Sequence, residues 1–177
     1  MADIKIIVDS GSDIPQDIAD KYNIGVISFL SIFGTEQYVQ RTEITNEQFF
    51  DKLEEYDGIP TTSQTPFGDM LDYFKQQCEE HESVIYFALS SAASGQYQTA
   101  NLVKSEIEEE NPNADFHIVD TQKFSLYIAQ TAVHAAQMAK DGKSVDEIIT
   151  ECEKYIKRKN TIRKLSLIRK FSTIFAA

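Results

Sequence analysis

The sequence predicts an α/β domain in which a parallel sheet carries helices on both faces, giving three layers. The apolar run Val84–Leu89 is typical of a strand buried on both faces. Strand patterns alternate with helix patterns along the chain, at spacings that suit crossover connections between parallel strands. An alanine-rich segment at 124–140 has the small side chains that allow a helix to pack closely on a sheet.

The composition is that of one acidic domain. The chain has 177 residues, 42% of them hydrophobic, which is enough for one ordinary core. Its formal net charge of -11 argues against nucleic-acid binding, which requires a basic face. Cys78 and Cys152 lack CxxC spacing and a secretory context, so we interpret both as reduced packing residues of a cytoplasmic protein. We expect neither a signal peptide nor an integral membrane segment, because no apolar run is long enough.

The chain begins with a strand, a helix and a second strand. A strand over Ile4–Val8 is followed by a helix that starts at Ile14-Pro15, because proline fits the first helical turn and Asp13 can cap it. The helix is expected to end near Asn23. A second strand is predicted over Val26–Phe33.

A second helix and a long loop follow. Thr45 and Gln48 have the spacing of a capping box, and the buried stripe of the helix is expected to be Phe49, Phe50 and Leu53. The run 58–66 is dense in turn residues and hydroxyls, with two prolines and no periodicity, so it is predicted as a loop.

The rest of the chain continues the alternation. Further helices are predicted from Phe67 to about His81, over Gln96–Glu110, over Phe124–Lys140, and from a cap at Ser144. The strands between them are the Val84 run and Phe116–Val119.

Four polar loops are expected to converge at the carboxyl edge of the sheet, where open parallel sheets bind their ligands. They are 9–13, 61–65, 90–95 and 120–125. A helix start offers free amides and a positive dipole end, so Ser90, Ser91 and Ser94 could hold a carboxylate or phosphate there. The competing interpretation is that Ser94 is simply the N-cap of the helix.

Catalytic and metal sites are not predicted. Ser94 lies in Ser-Ala-Ala-Ser-Gly, which is not the nucleophile elbow, and structural roles are expected for all three histidines. Asp9 is interpreted as a strand-end hydrogen-bond acceptor and not as a metal ligand. No Walker lysine or Gly-x-Gly-x-x-Gly is present, so no nucleotide cofactor is expected. A binding protein is favoured over an enzyme, and a hydrolase using Ser94 is the least favoured alternative.

Five segments, in order, resemble the DegV family of bacterial fatty-acid-binding proteins. They are Val8–Pro15, Ile32–Tyr38, Pro60–Gln64, Leu89–Ala100, and Val119–Thr121 followed by Ser125. The resemblance implies an α/β amino-terminal domain that shares the carboxylate site, with a second domain closing over the acyl chain. It also implies that Thr62 and Ser94 bind the fatty-acid carboxylate, with Ser63 and Gly95 beside them.

The resemblance further implies a carrier, not itself an enzyme, that presents its bound fatty acid to a separate fatty-acid kinase. It covers residues 3–158, so we expect a DegV-like domain over 1–158. A divergent basic and apolar tail follows over 159–177, as though the chain were truncated before the family's second domain. After Tyr38-x the family has an acidic residue and a glycine, where this chain has Gln40-Arg41. The alternative is a small-molecule-binding or partner-binding module that has lost lipid binding together with the second domain. Such a module could form a homodimer through the tail.

Overall fold

The computed structural model describes residues 3–158. The strands are β1 Ile4–Asp9, β2 Gly25–Ile27, β3 Leu30–Phe33, β4 Glu36–Val39, β5 Thr61–Ser63, β6 Ser83–Ala88 and β7 Phe116–Asp120. The helices are α1 Gln16–Tyr22, α2 Asn46–Glu55, α3 Phe67–Glu80, α4 Gln96–Glu110, α5 Leu126–Lys140 and α6 Val145–Arg158. Within this part of the chain, no helix combines the length and the apolar character needed to cross a bilayer.

The main sheet has four parallel strands in the order β2-β1-β6-β7. In its register Val8 lies opposite Phe87, and Phe87 lies opposite Val119. Every residue of β6 is buried. The predicted central strand, buried on both faces, is therefore confirmed.

Two hydrophobic cores lie on opposite faces of this sheet. Ile85 and Phe87 point into a core that receives side chains from α1, α5 and α6. Tyr86 and its neighbours on the other face point into a core formed with α3 and α4. Alternate residues of one strand thus serve both cores, because successive side chains point to opposite faces. The three-layer α/β prediction is confirmed.

A small antiparallel sheet, in the order β4-β3-β5, was not foreseen. The single strand predicted over 26–33 is wrong, because the chain leaves the parallel sheet after β2 and enters the small sheet at β3. The backbone groups at the break bond to loops: the Phe29 amide donates to Ser10 Oγ at 3.0 Å, and the Ser28 carbonyl accepts from Thr65 Oγ1 at 2.8 Å. These bonds take the place of a strand ladder.

The region around α2 differs from the prediction in two ways. The loop predicted over 58–66 contains strand β5. The capping box of Thr45 and Gln48 is present, but α2 has no fully buried residue and Phe50 is 61% exposed. Phe49 alone of the predicted aromatic pair packs on Phe33, with ring centroids 5.3 Å apart. The stripe prediction fails because α2 covers only the small sheet and not the main core.

The start of α1 also differs. Asp13 does not cap the helix: it adopts φ 51° and closes a short 3-10 turn over Ser10–Ser12, its amide bonding to the Ser10 carbonyl. Pro15 occupies the N-cap position, and α1 begins at Gln16. The bounds predicted for α4 and the cap at Ser144 are confirmed.

Candidate functional site

The topology of the main sheet creates a crevice between the carboxyl ends of β1 and β6. These strands are neighbours, but the helix after β1 packs on one face of the sheet and the helix after β6 packs on the other. The two chain segments therefore diverge where the strands end. Such a switch point is where open α/β sheets bind ligands.

Asp9 closes the floor of this crevice. Its Oδ2 accepts hydrogen bonds from the Leu89 amide at 2.6 Å and from the Tyr86 hydroxyl at 3.2 Å, which confirms the predicted acceptor role. Its Oδ1 is buried with no hydrogen-bond partner among residues 3–158. Burial raises the pKa of Asp9 to about 6, although the Leu89 amide and the Tyr86 hydroxyl act to lower it. Asp9 therefore holds the segment after β6 in place at an electrostatic cost.

The turn after β6, residues 90–95, is fixed by hydrogen bonds within its own backbone and by bonds to the Asp120 side chain. Its own backbone closes on the Ser90 carbonyl, which accepts from the amides of Ala93 at 3.0 Å and Ser94 at 3.1 Å. The amide and hydroxyl of Ser91 both donate to the Asp120 carboxylate, at 3.1 and 2.5 Å. Both hydrogen-bond donors of Ser91 are therefore used within the protein and are not available to a ligand.

The Ser94 hydroxyl stabilises the start of α4, and its ligand-binding role stays a prediction. Its Oγ accepts a hydrogen bond from the Gln96 amide at 3.2 Å, although Gly95 occupies the N-cap position itself. A hydroxyl has one donor and two acceptor lone pairs, so Ser94 can stabilise the start of α4 and still donate its proton to an anion.

Thr62 and Ser63 lie on the edge strand β5. Ser63 is half-buried, and its hydroxyl donates to the Gln64 carbonyl at 3.3 Å. Thr62 is exposed and pairs with Ser31 across the small sheet. Residues directly opposite in an antiparallel pair share a face, so the Thr62 side chain lies on the same face as that of Ser31. Thr62 therefore presents an accessible hydroxyl.

Two glutamine side chains fasten the segment after β5 to the first turns of α4. Gln96 is fully buried: its Oε1 accepts from the Thr65 amide at 3.1 Å, and its Nε2 donates to Thr65 Oγ1 at 2.9 Å. Gln64 Nε2 donates to Thr99 Oγ1 at 2.9 Å. A Cβ on Gly95 would lie 2.4 Å from Gln64 Oε1, so only glycine allows this approach. We call this group the glutamine clamp; it brings the Thr62 segment against the Ser94 turn.

The predicted convergence of the four loops is confirmed. Besides the glutamine clamp, the Ser125 amide bonds to the Gly11 carbonyl at 2.9 Å, and the Ser90 amide bonds to the Lys123 carbonyl at 3.2 Å. Sequence reasoning did not identify Gln64 and Gln96 as the groups that join the loops. The position of Gln96 directly after Ser94-Gly95 was the available signal.

A cavity of about 730 Å³ opens beside the end of β1. Its polar wall includes a hydrogen-bonded chain in which Ser10 donates to Gln40 Oε1 at 2.7 Å and Gln40 Nε2 donates to Ser31 Oγ at 3.0 Å. Ile44 and Phe49 contribute to its apolar wall. The volume is in the range of small-molecule pockets.

Arg41 lies at the rim of this cavity with φ 70°, where the family resemblance expects glycine. Its guanidinium donates to the Ile14 carbonyl and to Gln16 Oε1, both at 2.7 Å. These bonds fasten the chain after β4 to the start of α1.

The three histidines have structural contacts outside the four loops. His81 contacts Asp3 at 2.9 Å and His117 contacts Asp115 at 2.7 Å. The ring of His134 lies 5.9 Å from that of Tyr155. Within residues 3–158, no three side chains of the metal-ligating kinds form a group that could hold an ion.

Comparisons with known proteins identify the family of the chain and the fold it shares. A model of the DegV family, described as uncharacterised proteins, matches residues 3–167. A DegV domain-containing protein of Clostridium perfringens is 34% identical over 151 residues, covering 84% of this chain and 51% of that protein. The crystal structure of DegV from Bacillus subtilis, described as a fatty acid binding protein, has a TM-score of 0.81 at 27% identity. The match covers 89% of this chain and 55% of that one.

A DegV family protein from Thermus thermophilus, whose structure is described in terms of fatty acid binding, has a TM-score of 0.77 at 28% identity. The match covers 88% of this chain and 54% of that one. This chain spans about half the length of the curated relatives that it matches. Both the sequence match and the shared fold show that the chain belongs to the DegV family.

Proposed function

We propose that this chain binds the carboxylate of a long-chain fatty acid between the hydroxyls of Thr62 and Ser94. The observation that carries the proposal is the glutamine clamp, which holds the strand bearing Thr62 against the turn bearing Ser94. Similar chains of known structure are described as fatty acid binding proteins, which supports the same ligand here.

The chemistry of these groups suits an anion. Ser94 has a hydroxyl proton to donate beside the positive end of α4, and Thr62 presents an accessible hydroxyl on β5. Ser63 and Gly95 complete the site indirectly, since Ser63 bonds to the Gln64 backbone and Gly95 makes room for the Gln64 side chain. Hydrogen bonds to a charged group are about twice as strong as neutral ones.

The same site supports a carrier more than an enzyme. The histidines have contacts elsewhere, so the described loops lack an imidazole that could act as a general base. An exposed Thr62 leaves the head group open at the edge of the domain. We therefore include in the proposal that the carrier presents its carboxylate to a separate fatty-acid kinase. We place it in the cytoplasm, because both Cys78 and Cys152 are free thiols.

The test is native mass spectrometry of the full chain purified from bacteria, followed by titration with stearate. We expect one co-purifying or added fatty acid per chain, with weaker binding in Thr62→Val and Ser94→Ala. Ser105→Ala is the matched control, because Ser105 is an exposed hydroxyl residue elsewhere on α4. A chain that neither carries lipid nor binds stearate would overturn the proposal.

The cavity beside β1 favours a second candidate, a small-molecule-binding module without lipid affinity. A chain that binds no stearate but binds a polar ligand lost on Gln40→Ala would support it. The homodimer through residues 159–177 stays a prediction, since that segment lies outside the described residues. Sedimentation of the chain with and without residues 160–177 tests it.

A further inference from the structure

Ser31 lies where the strand that carries Thr62 meets the cavity beside β1. In the register of the small sheet, Ser31 on β3 is directly opposite Thr62 on β5. Residues opposite one another in an antiparallel pair point to the same face, with Cβ atoms about 4.5 to 5.5 Å apart. Ser31 is only 1% exposed, yet it forms part of the cavity wall. The side chains of Ser31 and Thr62 are therefore neighbours on one surface.

The hydrogen bonds that lead to Ser31 all run in one direction. Ser10 Oγ accepts from the Phe29 amide at 3.0 Å and donates its proton to Gln40 Oε1 at 2.7 Å. Gln40 Nε2 then donates to Ser31 Oγ at 3.0 Å. Because the amide group of a glutamine side chain donates through its nitrogen, Ser31 Oγ is the acceptor in this bond. Ser31 therefore keeps its own hydroxyl proton.

That proton has no acceptor within residues 3–158, where the bond from Gln40 is the one hydrogen bond of the Ser31 side chain. Its neighbours on the same face are Tyr38 on β4 and Thr62 on β5. The Tyr38 hydroxyl donates to Glu36 at 2.7 Å. Most buried polar groups in proteins use their hydrogen-bonding capacity, because a buried donor without an acceptor costs free energy. The Ser31 hydroxyl is thus a donor that a ligand at this surface can use.

A donor beside Thr62 suits a carboxylate. An ionised carboxylate only accepts hydrogen bonds, and its two oxygens offer about four positions, so Thr62 and Ser94 leave capacity for a third donor. Two hydroxyls on adjacent strands can each donate to one head group that lies between them. The bonds from Ser10 through Gln40 also polarise the last hydroxyl of the series, because hydrogen bonds in a chain strengthen one another.

We propose that Ser31 is a third hydroxyl that binds the carboxylate of the fatty acid, an assignment that rests on the proposed function. Ser31 and Thr62 contact the head group from the small sheet, and Ser94 contacts it from the start of α4. Neither the periodicity of β3 nor the family resemblance indicated this residue. Only the pairing of β3 with β5 brings Ser31 beside Thr62.

The experiment uses the full chain, wild type and Ser31→Ala, with stearate and methyl stearate as probes. The two probes share the acyl chain and differ in the charge of the head group. We expect the stearate affinity of Ser31→Ala to fall about 10- to 100-fold, the range of a hydrogen bond to a charged group. Methyl stearate affinity should fall less than about 10-fold, because its head group is neutral. Ser105→Ala, the same substitution at an exposed position on α4, should leave both affinities unchanged.

A second readout separates a contact with the head group from a packing effect. With stearate labelled with ¹³C at its carboxyl carbon, the pKa of the bound carboxyl should be higher in Ser31→Ala, because a donor to the charged form is lost. The variant should fold, since Gln40 is only half-buried and water can replace the lost acceptor. If it does not fold, the Ser31 resonances of the wild type replace it. They should shift as bound stearate titrates and stay constant over the same pH range with methyl stearate.

The outcomes distinguish the role of Ser31 from the carrier function. A wild-type chain that binds no stearate overturns both of them. If the wild type binds stearate and Ser31→Ala binds it equally well, the role of Ser31 is overturned and the carrier function stands. Equal losses for stearate and methyl stearate, with an unchanged carboxyl pKa, show a packing effect and overturn the role of Ser31 too. Ser31 resonances that do not respond to the titration of stearate have the same meaning.

Discussion

The Asp9 carboxylate accepts a 2.6 Å hydrogen bond from the Leu89 amide, across the ends of two neighbouring parallel strands. This bond holds the chain just before the turn 90–95 from inside the protein. Asp9 is fully buried, and its Oδ1 has no partner among the described residues. The position of the turn and the ionisation of a buried acid are therefore linked.

Asp9 should make stability depend on pH. Burial raises its pKa from 3.8 to about 6, so the folded state binds the proton more tightly than the unfolded state does. The stabilisation from neutral Asp9 is complete below pH 3.8 and is lost as pH rises through 6. The loss amounts to about 3 kcal/mol.

Asp9→Asn removes this ionisation and keeps an acceptor for Leu89. We expect its free energy of unfolding, measured by urea denaturation between pH 4 and pH 7, to fall less with rising pH than that of the wild type. Asp17→Asn, on the exposed side of α1, is the control. Parallel profiles for Asp9→Asn and the wild type would show that Asp9 has no such role.

Ser94→Ala should change both affinity and stability. Loss of the hydroxyl donor should weaken carboxylate binding by about 1 to 3 kcal/mol. Loss of the bond from the Gln96 amide should lower the unfolding free energy by about 1 kcal/mol. Thr62→Val should change affinity alone, because Thr62 is exposed on an edge strand. Stearate titration and thermal melting of both variants separate the effect on affinity from the effect on stability. Equal shifts in melting temperature for Ser94→Ala and Thr62→Val would contradict the prediction.

Gly95→Ala should disturb the site more than the fold. The new Cβ would lie 2.4 Å from Gln64 Oε1, so the Gln64 side chain must turn away from Thr99. The end of a glutamine side chain moves easily, so we expect a stability loss of about 1 kcal/mol or less together with weaker stearate binding. Gly68→Ala is the matched control, since nothing lies within 4 Å of its Cβ position. Unchanged stearate affinity in Gly95→Ala would show that the position of the Gln64 side chain does not matter for ligand binding.

Gln96→Leu should be strongly destabilising. It leaves the buried amide of Thr65 without its partner and removes the donor to the Thr65 hydroxyl, which keeps its bond to the Ser28 carbonyl, at a cost of about 2 to 3 kcal/mol. Gln98→Leu, two positions along the same helix but exposed, should stay within about 0.5 kcal/mol of the wild type. The measurement is urea denaturation of both variants, and similar unfolding free energies for the two would contradict a structural role of the clamp.

The sequence by itself determined the α/β class, the helix over Gln96–Glu110, the capping box of Thr45 and Gln48, the cap at Ser144 and the family, because these depend on local periodicity and on short ordered motifs. It also located the loops that meet at the sheet edge. Thr62, Ser63 and Gly95 came from the resemblance, and Ser94 from both the helix start and the resemblance. Their role as ligand-binding residues stays a prediction.

Only the tertiary structure decided how those loops meet and where the second strand breaks. The break depends on Phe29 bonding to Ser10, 19 residues away, and on Thr65 bonding to Ser28, 37 residues away. The burial of Lys123 and the orphaned oxygen of Asp9 are equally invisible in the sequence. Each arises because segments far apart in the sequence pack together. Local sequence patterns do not show which polar groups find a partner in that packing and which do not.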